Sequence, residues 1–440
     1  MGPYVDAVSG DLDLPPRSDV VIIGGGIIGV SAAFELARRG LRVTLCEKGY
    51  VACEQSSRNW GWCRQAGRDE REMPLITESM RLWRDMDRLV GSPVGYVESG
   101  TIYVGEGDKD RAAFESWLDM AKPYETQARM ISGEEFERRT KLPPKGRFGL
   151  YVPTDGRAEP QQAAPAIARA ARAAGATILS NCAVRSIDRS AGRASGVVTE
   201  RGRIDCDAVI VAAGAWSSLL CDGLDFSLPQ LRIAGTVLRT SRVDDGPESS
   251  TWMGRLGFRK RQDGGYTIAD GSSYVTPIVP GSFRFLRQFW PMLRQEWRAV
   301  KPLIGRETMR TFLASRPRPD RQSVFERVRV LEPEPDMASA RGALEAMAQA
   351  YPAFRSASIV QAWAGFVDVT PDAIPYIGAL PPVPGITVAT GFSGHGFGIG
   401  PAAGRLAARI ACGDTTAPDP EAMRLARFED GSPVVLGAEV

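Results

Sequence analysis

The run Val20-Val-Ile-Ile-Gly24-Gly-Gly-Ile-Ile-Gly29 passes from apolar β-branched residues through adjacent glycines straight into a helical pattern. About 20 residues further on, Glu47 closes a second apolar run, Arg42-Val-Thr-Leu-Cys-Glu47. Strand, turn, helix and strand in that order suit one kind of ligand, a dinucleotide. Gly24 permits the tight turn, Gly26 lets a pyrophosphate approach the backbone, and Gly29 lets the helix lie against the sheet. The helix start near Ile27 presents free N–H groups and a positive dipole end to phosphate. Glu47 can accept hydrogen bonds from an adenosine ribose. Ala33, Leu36, Gly40 and Val43 fall at the spacing that packs the helix between two strands.

At 440 residues the chain suits two domains. Lys+Arg 54 against Asp+Glu 52 leaves +2, so charge makes no case for nucleic acid. The seven cysteines (46, 53, 63, 182, 206, 221 and 412) contain no C-x-x-C pair, and His395 is the single histidine. That pattern suits reduced thiols of a cytoplasmic protein and argues against a metal centre. Residues 1–18 lack the basic start and apolar middle of a signal peptide. Val20 to Phe34, the longest uncharged apolar stretch, is shorter than the ~20 residues of a bilayer span. No integral membrane segment is expected, while peripheral membrane association and a homo-oligomer remain open.

Later segments alternate in character. A polar, aromatic-rich loop runs from Cys53 to Gln65, a helix from about Glu72 to Val90, and a strand from Tyr96 to Val104. Helices are expected near Ala112–Ala121, Gly133–Arg139 and Gln162–Ala174. Thr177–Val184 reads as a strand, Ala194–Thr199 with Gly202–Ile204 as a hairpin, and Ala208–Gly214 as a buried strand. Further strands are Leu231–Thr240, Gly265–Ala269 and Val324–Val330, with helices over Phe283–Val300 and Ser339–Ala350. Ser315–Arg321 reads as a solvated loop. Last come a strand, Ile386–Thr390, a second glycine-rich loop, Gly391–Gly400, and a helix from Pro401 to Ala411 with proline in its first turn.

Two helix starts, each preceded by a glycine loop, suit a long ligand that needs N–H donors at both ends. FAD is such a ligand, because its ring edge becomes negative on reduction and a positive dipole there stabilises it. The expected fold is α/β: a Rossmann-type FAD-binding part (19–95, 150–229 and 360–415) interleaved with a β-sheet-based substrate part (96–149 and 230–359). Residues 1–18 and 416–440 are terminal extensions.

The chain resembles the D-amino-acid oxidase superfamily of glutathione-reductase-like flavoproteins, in the branch with glycine oxidase, monomeric sarcosine oxidase and D-amino-acid dehydrogenases. The resemblance rests on Gly24–Gly29 with Glu47-Lys48, Asp155-Gly-Arg-Ala-Glu-Pro160, Val184, Ala212-Ala-Gly-Ala-Trp216, Trp363-Ala-Gly365, Thr370-Pro-Asp372 and Gly391-Phe-Ser-Gly-His-Gly-Phe397. It implies that Gly24, Gly26, Ile28, Gly29, Glu47 and Lys48 hold the ADP half. Ser56, Ser57, Arg58, Asn59 and Gly61 would follow the pyrophosphate and flavin. Val184 would sit by the adenine, Ala213, Gly214 and Trp216 over the middle, and Gly365, Gly394, His395, Gly396, Phe397, Gly398 and Ile399 along the ring. It further implies oxidation of a C–N bond in an amino acid or related amine by hydride transfer to flavin N5. The imine would hydrolyse to a keto acid or aldehyde, and the electrons pass to oxygen or another acceptor. A hydroxy-acid or polyol dehydrogenase, or a flavin-carrying subunit of a larger complex, would share the fold.

The chain departs from that pattern at its substrate end. Relatives acting on α-amino carboxylates carry an arginine two residues after Trp-x-Gly; here Val367 stands there, followed by Asp368. Two replacements are open: Arg64 as the carboxylate anchor, or Asp368 facing a cationic amine. Trp60 and Trp62 are candidate cavity walls, and His395 a group contacting flavin or a carbonyl. Tyr266 falls where related oxidases place an oxygen-activating lysine, which implies slow reaction with oxygen. The segment after Trp363 has no cysteine, so FAD is expected to be non-covalent.

Overall fold

The first strand, Arg17–Ile23, buries Val20 to Ile23 on both faces, as a strand covered on both sides of a parallel sheet must. It lies between Val43–Cys46 and Gly202–Val211, both parallel to it. Thr177–Leu179 and Ile386–Thr390 continue the parallel order outward. This computed structural model describes residues 2–124, 126–271, 274–297, 300–305, 308–309, 318–414 and 421–437. Among these, the strands above belong to an eight-stranded sheet completed by Tyr376–Ala379, Val184–Ser190 and Arg193–Thr199.

A second sheet of ten strands, mostly antiparallel, lies beside the first. Its longest pair is Leu231–Thr240 against Ile359–Val369, which places Gly235 opposite Gly365. Ile359–Val369 and Arg147–Val152 both belong to this sheet, although the expected boundaries put most of the first and half of the second in the FAD-binding part.

Two helices carry the site. Ile27–Arg38 follows the first strand, and Gly396–Ala411 crosses it at very close range. A Cβ on Gly404 would stand 2.6 Å from the Ile28 carbonyl oxygen, and one on Gly400 would stand 2.8 Å from the Ile27 side chain. Only glycine lets two helical backbones approach so closely.

Several local expectations change. Val324–Val330 is not a strand: Val324–Arg327 is a helical turn. Glu326 caps it by accepting from the Ser323 N–H at 2.8 Å, and Arg185 pairs with the same carboxylate. This local capping box outweighs the β-branched pattern. The helix expected from Pro401 starts at Gly396, five residues earlier, so Pro401 lies inside it. Proline removes the donor that the Phe397 carbonyl would use, and the neighbouring Gly398 carbonyl accepts from Ser79 Oγ at 2.7 Å and Trp83 Nε1 at 2.8 Å. Thr177–Val184 divides into two strands around Asn181, which has φ +48. The hairpin's second arm continues unbroken to Val211. The helix expected over Phe283–Val300 becomes Pro280–Arg284 and Leu286–Glu296. Residues 298–299 of that stretch, 315–317 of the expected loop, and 416–420 and 438–440 of the C-terminal extension lie outside the described residues.

Candidate active site

A cavity of about 1000 Å³ connects the N-termini of the two crossing helices and is lined by residues from both sheets. At its first end Gly24 has φ +110, and a Cβ there would run into the Ala212 carbonyl. Gly26 caps the helix with extended backbone and no side chain, and the first turn carries no acid. Ser56 Oγ accepts from the Ile27 N–H at 2.8 Å. Glu47 is buried and bridges the turn, accepting from Gly25 N and Gly49 N at 2.7 Å each; burial raises its pKa.

Lys48 sits beside this turn. Its ammonium pairs with Glu54 at 2.7 Å and lies 4.8 Å from the Trp216 ring centre. Ile28, Val184, Ala213, Gly214, Trp216, Arg58 and Asn59 line the same stretch of cavity. The Arg58 guanidinium is buried, donating to the Ala364 carbonyl at 3.1 Å and to Glu332 at 3.2 Å. Gly235 and Gly365 stand opposite each other on the paired strands, with the Arg58 side chain against Gly365.

At the other end the loop after Ile386–Thr390 turns through Gly391 (φ +72) and Gly394 (φ +88) into the second helix. His395 is its N-cap residue, and no acid occupies the first turn. Asp368, at the end of Ile359–Val369, ties the loop down by accepting from Gly391 N at 2.9 Å, Gln230 Nε2 at 3.0 Å and Thr390 Oγ1 at 3.3 Å. An elongated cavity with an acid-free helix start at each end fits FAD: phosphates at one terminus, the ring's electron-rich edge at the other.

Burial raises both Asp368 and Asp155 to a pKa of about 6. A carboxyl whose folded pKa exceeds its unfolded one binds its proton more tightly when folded. Its contribution is therefore fully present below about pH 4 and lost as pH rises through 6. We expect Asp368→Asn to lower the melting temperature more at pH 5 than at pH 8. Equal losses at the two pH values would exclude this titration.

Arg64, Trp60 and Trp62 come together on the cavity wall. The Arg64 guanidinium lies 5.7 Å from the Trp62 ring centre and 5.6 Å from that of Tyr103, and donates to the Ala66 carbonyl. Trp60 stacks on Trp252 with centroids 5.7 Å apart. Beyond the aromatic residues the wall turns apolar: Leu231 and Ile233 alternate with the strand period, and Phe289, Met292 and Val367 face them.

Other expected site residues lie elsewhere. Tyr266 is buried in the substrate-side core, edge-on to Phe354, with its hydroxyl donating to the Pro247 carbonyl at 3.0 Å. It is absent from the cavity wall, so the inference about oxygen drawn from its place falls. Asp368 reaches the wall, but its carboxylate is engaged by loop and strand donors and is not a free partner for a cationic amine. Gly29 lies behind the phosphate turn, where a Cβ would overlap the Gly24 carbonyl oxygen. Ser57 is buried and donates to the Glu54 carbonyl. Gly61 is pressed against Ala158 and Arg259. Gly398 and Ile399 face the protein interior; a Cβ on Gly398 would stand 3.0 Å from the Trp62 carbonyl.

Several cavity residues escaped the sequence reading, the Arg68–Glu72 pair among them. Arg68 and Glu72, both buried, stand behind His395. Their i,i+4 spacing of opposite charges ahead of Pro74 was the available signal. Nothing in the pattern separated it from an exposed helix pair.

The family described as FAD dependent oxidoreductase matches residues 19–410. The solved L-amino acid deaminase of Proteus myxofaciens, in complex with anthranilate, superposes with a TM-score of 0.92 and 30% identity, covering 97% of each chain. Mitochondrial sarcosine dehydrogenase of Homo sapiens is 26% identical over 242 residues, 52% of this chain and 26% of that protein. Glycine oxidase of Geobacillus kaustophilus is 29% identical over 231 residues, 50% of this chain and 60% of that one. The aligned region thus spans less than two thirds of the length of these two relatives.

Proposed function

We propose a function from one established premise: the chain belongs to the family of FAD-dependent oxidoreductases. It oxidises the Cα–N bond of an L-α-amino acid with a bulky apolar side chain, giving an imine that water converts to a keto acid and ammonia. The observation that carries this reading is the far end of the cavity, which is lined by apolar Leu231, Ile233, Phe289 and Met292 and by half-buried Arg64. The likeness to an L-amino acid deaminase along nearly the full length supports it.

FAD, when bound, supplies the two-electron acceptor for hydride leaving Cα. Arg64 anchors the substrate carboxylate, with its guanidinium held by the Trp62 and Tyr103 rings and the Ala66 carbonyl. The apolar wall takes the side chain, and aromatic Trp60 and Trp252 keep water from the reacting carbon. Rate then comes from orientation of the Cα–H bond within a dry cavity. The cysteines that line the cavity among the described residues, Cys46 and Cys53, are both at the nucleotide end, which supports non-covalent FAD. No helix among the described residues is long and apolar enough to cross a membrane.

Anaerobic mixing with L-leucine or L-phenylalanine should bleach the flavin and release one ammonia per flavin. Glycine, D-amino acids and 2-hydroxy acids should leave it yellow. Bleaching by 2-hydroxy acids alone would replace the amine reading. Arg64→Ala should raise KM about 100-fold with kcat far less affected; unchanged KM would move the anchor elsewhere.

A further inference from the structure

Behind the cavity wall stands a buried row of charges. Glu72, fully buried, approaches His395 Nδ1 through Oε2 at 3.0 Å. Arg68, also buried, places Nη1 3.8 Å from the same oxygen and donates through Nη2 to the His395 carbonyl at 3.4 Å. The Trp117 indole N–H holds the Arg68 carbonyl at 3.0 Å. One arginine thus grips both the loop that carries the histidine and the carboxylate that holds its ring.

The direction of the His395–Glu72 bond follows from charge. Burial pushes the Glu72 carboxyl up, but the facing His395 and Arg68 pull it further down, so Glu72 is ionised. A carboxylate only accepts, so Nδ1 must carry the proton. Burial, then the Arg68 charge, pushes His395 below its ordinary value, which leaves a neutral ring at neutral pH. The charged groups facing the ring are Glu72, Arg68 and Arg64. Neighbouring Asp69 is engaged by Arg71, and Asp368 by Gly391, Gln230 and Thr390. Nε2 is therefore a bare acceptor, in a side chain 26% exposed and forming part of the cavity wall.

We propose that His395 is the acid–base group of this site, taking a proton at Nε2 from the substrate's ammonium group, with Glu72 and Arg68 as positioning residues. This rests on the amine-oxidation reading above. An α-amino acid carries its nitrogen as ammonium at neutral pH, and hydride leaves Cα only when that nitrogen has a free pair to form C=N. In the transfer one ammonium N–H bond breaks, its electron pair stays on the amine nitrogen, and a new N–H bond forms at Nε2. The resulting imidazolium is paired with the Glu72 carboxylate, so the charge is not left alone in a dry site.

The chain holds one histidine, so ¹⁵N-histidine labelling of the tag-free, FAD-loaded protein reports His395 alone. At pH 7.5 the expected spectrum has Nδ1 protonated and Nε2 bare, and Glu72→Gln should mix the tautomers. A proton resident on Nε2, or a tautomer indifferent to Glu72→Gln, would overturn the proposal. In anaerobic bleaching, His395→Gln should lower the second-order rate of flavin reduction about 100-fold at pH 7 and much less near pH 9.5, where free amine is supplied by solution. A wild-type pH profile in that variant overturns the proposal alone. Failure of every amino acid to bleach the unmodified protein would overturn the substrate reading, and this proposal with it.

Discussion

Gly29→Ala should yield a protein that no longer retains FAD. The added methyl would overlap the carbonyl oxygen of Gly24, main chain on main chain, with no side chain to swing aside. Relief by moving Gly24 is opposed, because its N–H is held by the Cys46 carbonyl at 2.9 Å and its φ is already +110. The strain must therefore open the turn whose N–H groups face the cavity. Overpacking of this kind costs about 1–3 kcal/mol or more, and here the whole cost falls on the phosphate end. We expect a loss of about 100-fold or more in FAD affinity, at about 1.4 kcal/mol per factor of ten. Flavin-to-protein absorbance after purification and a fluorescence titration of the apoprotein measure it. Full flavin occupancy in the variant would show that this turn does not hold the cofactor.

The second large effect is expected from Arg259→Ala. Arg259 and Glu159 form a buried two-pronged pair with distances of 2.8 and 3.0 Å, and both side chains are almost fully enclosed. Arg259 also donates through Nε to the Trp60 carbonyl at 2.6 Å. Removing the arginine leaves the buried Glu159 carboxylate with only the Gln262 N–H at 3.0 Å and the Arg261 guanidinium at 4.0 Å, which costs about 3 kcal/mol. Replacing both partners by apolar residues, as in Arg259→Met with Glu159→Leu, should recover much of that, because no charge is then left uncompensated. Urea midpoints of the two variants test the comparison. A double variant no more stable than Arg259→Ala would mean that the Trp60 contact, and not the carboxylate, dominates.

What could be read beforehand followed the range over which each signal acts. The phosphate turn was legible because its requirements are local: Gly24, Gly26 and Gly29 answer to backbone geometry within six residues. Gly391 and Gly394 were legible for the same reason, and both take positive φ. The helical turn Val324–Arg327 was not, because β-branched residues there suggest a strand while Ser323 and Glu326 close a cap that a period count does not weigh. The start of the last helix was misplaced because proline favours a first turn, whereas here Pro401 sits inside a helix that begins at Gly396. Arg68 and Glu72 stayed hidden since burial of an ion pair is decided by what folds over it. Tyr266 shows the converse error: its place along the chain suggested a role that its position in the core denies.

The contact of Gly404 with Ile28 and Ser31 has a consequence for how such a protein can change. The distance from adenosine-gripping turn to ring-facing loop is set by two rods touching along their main chains, independent of any side chain that meets a metabolite. The wall proposed to take the substrate side chain is carried by other elements, Leu231–Thr240 and Leu286–Glu296. Descendants can therefore exchange one nutrient for another by altering that wall, while the inherited electron-carrying apparatus keeps its dimensions.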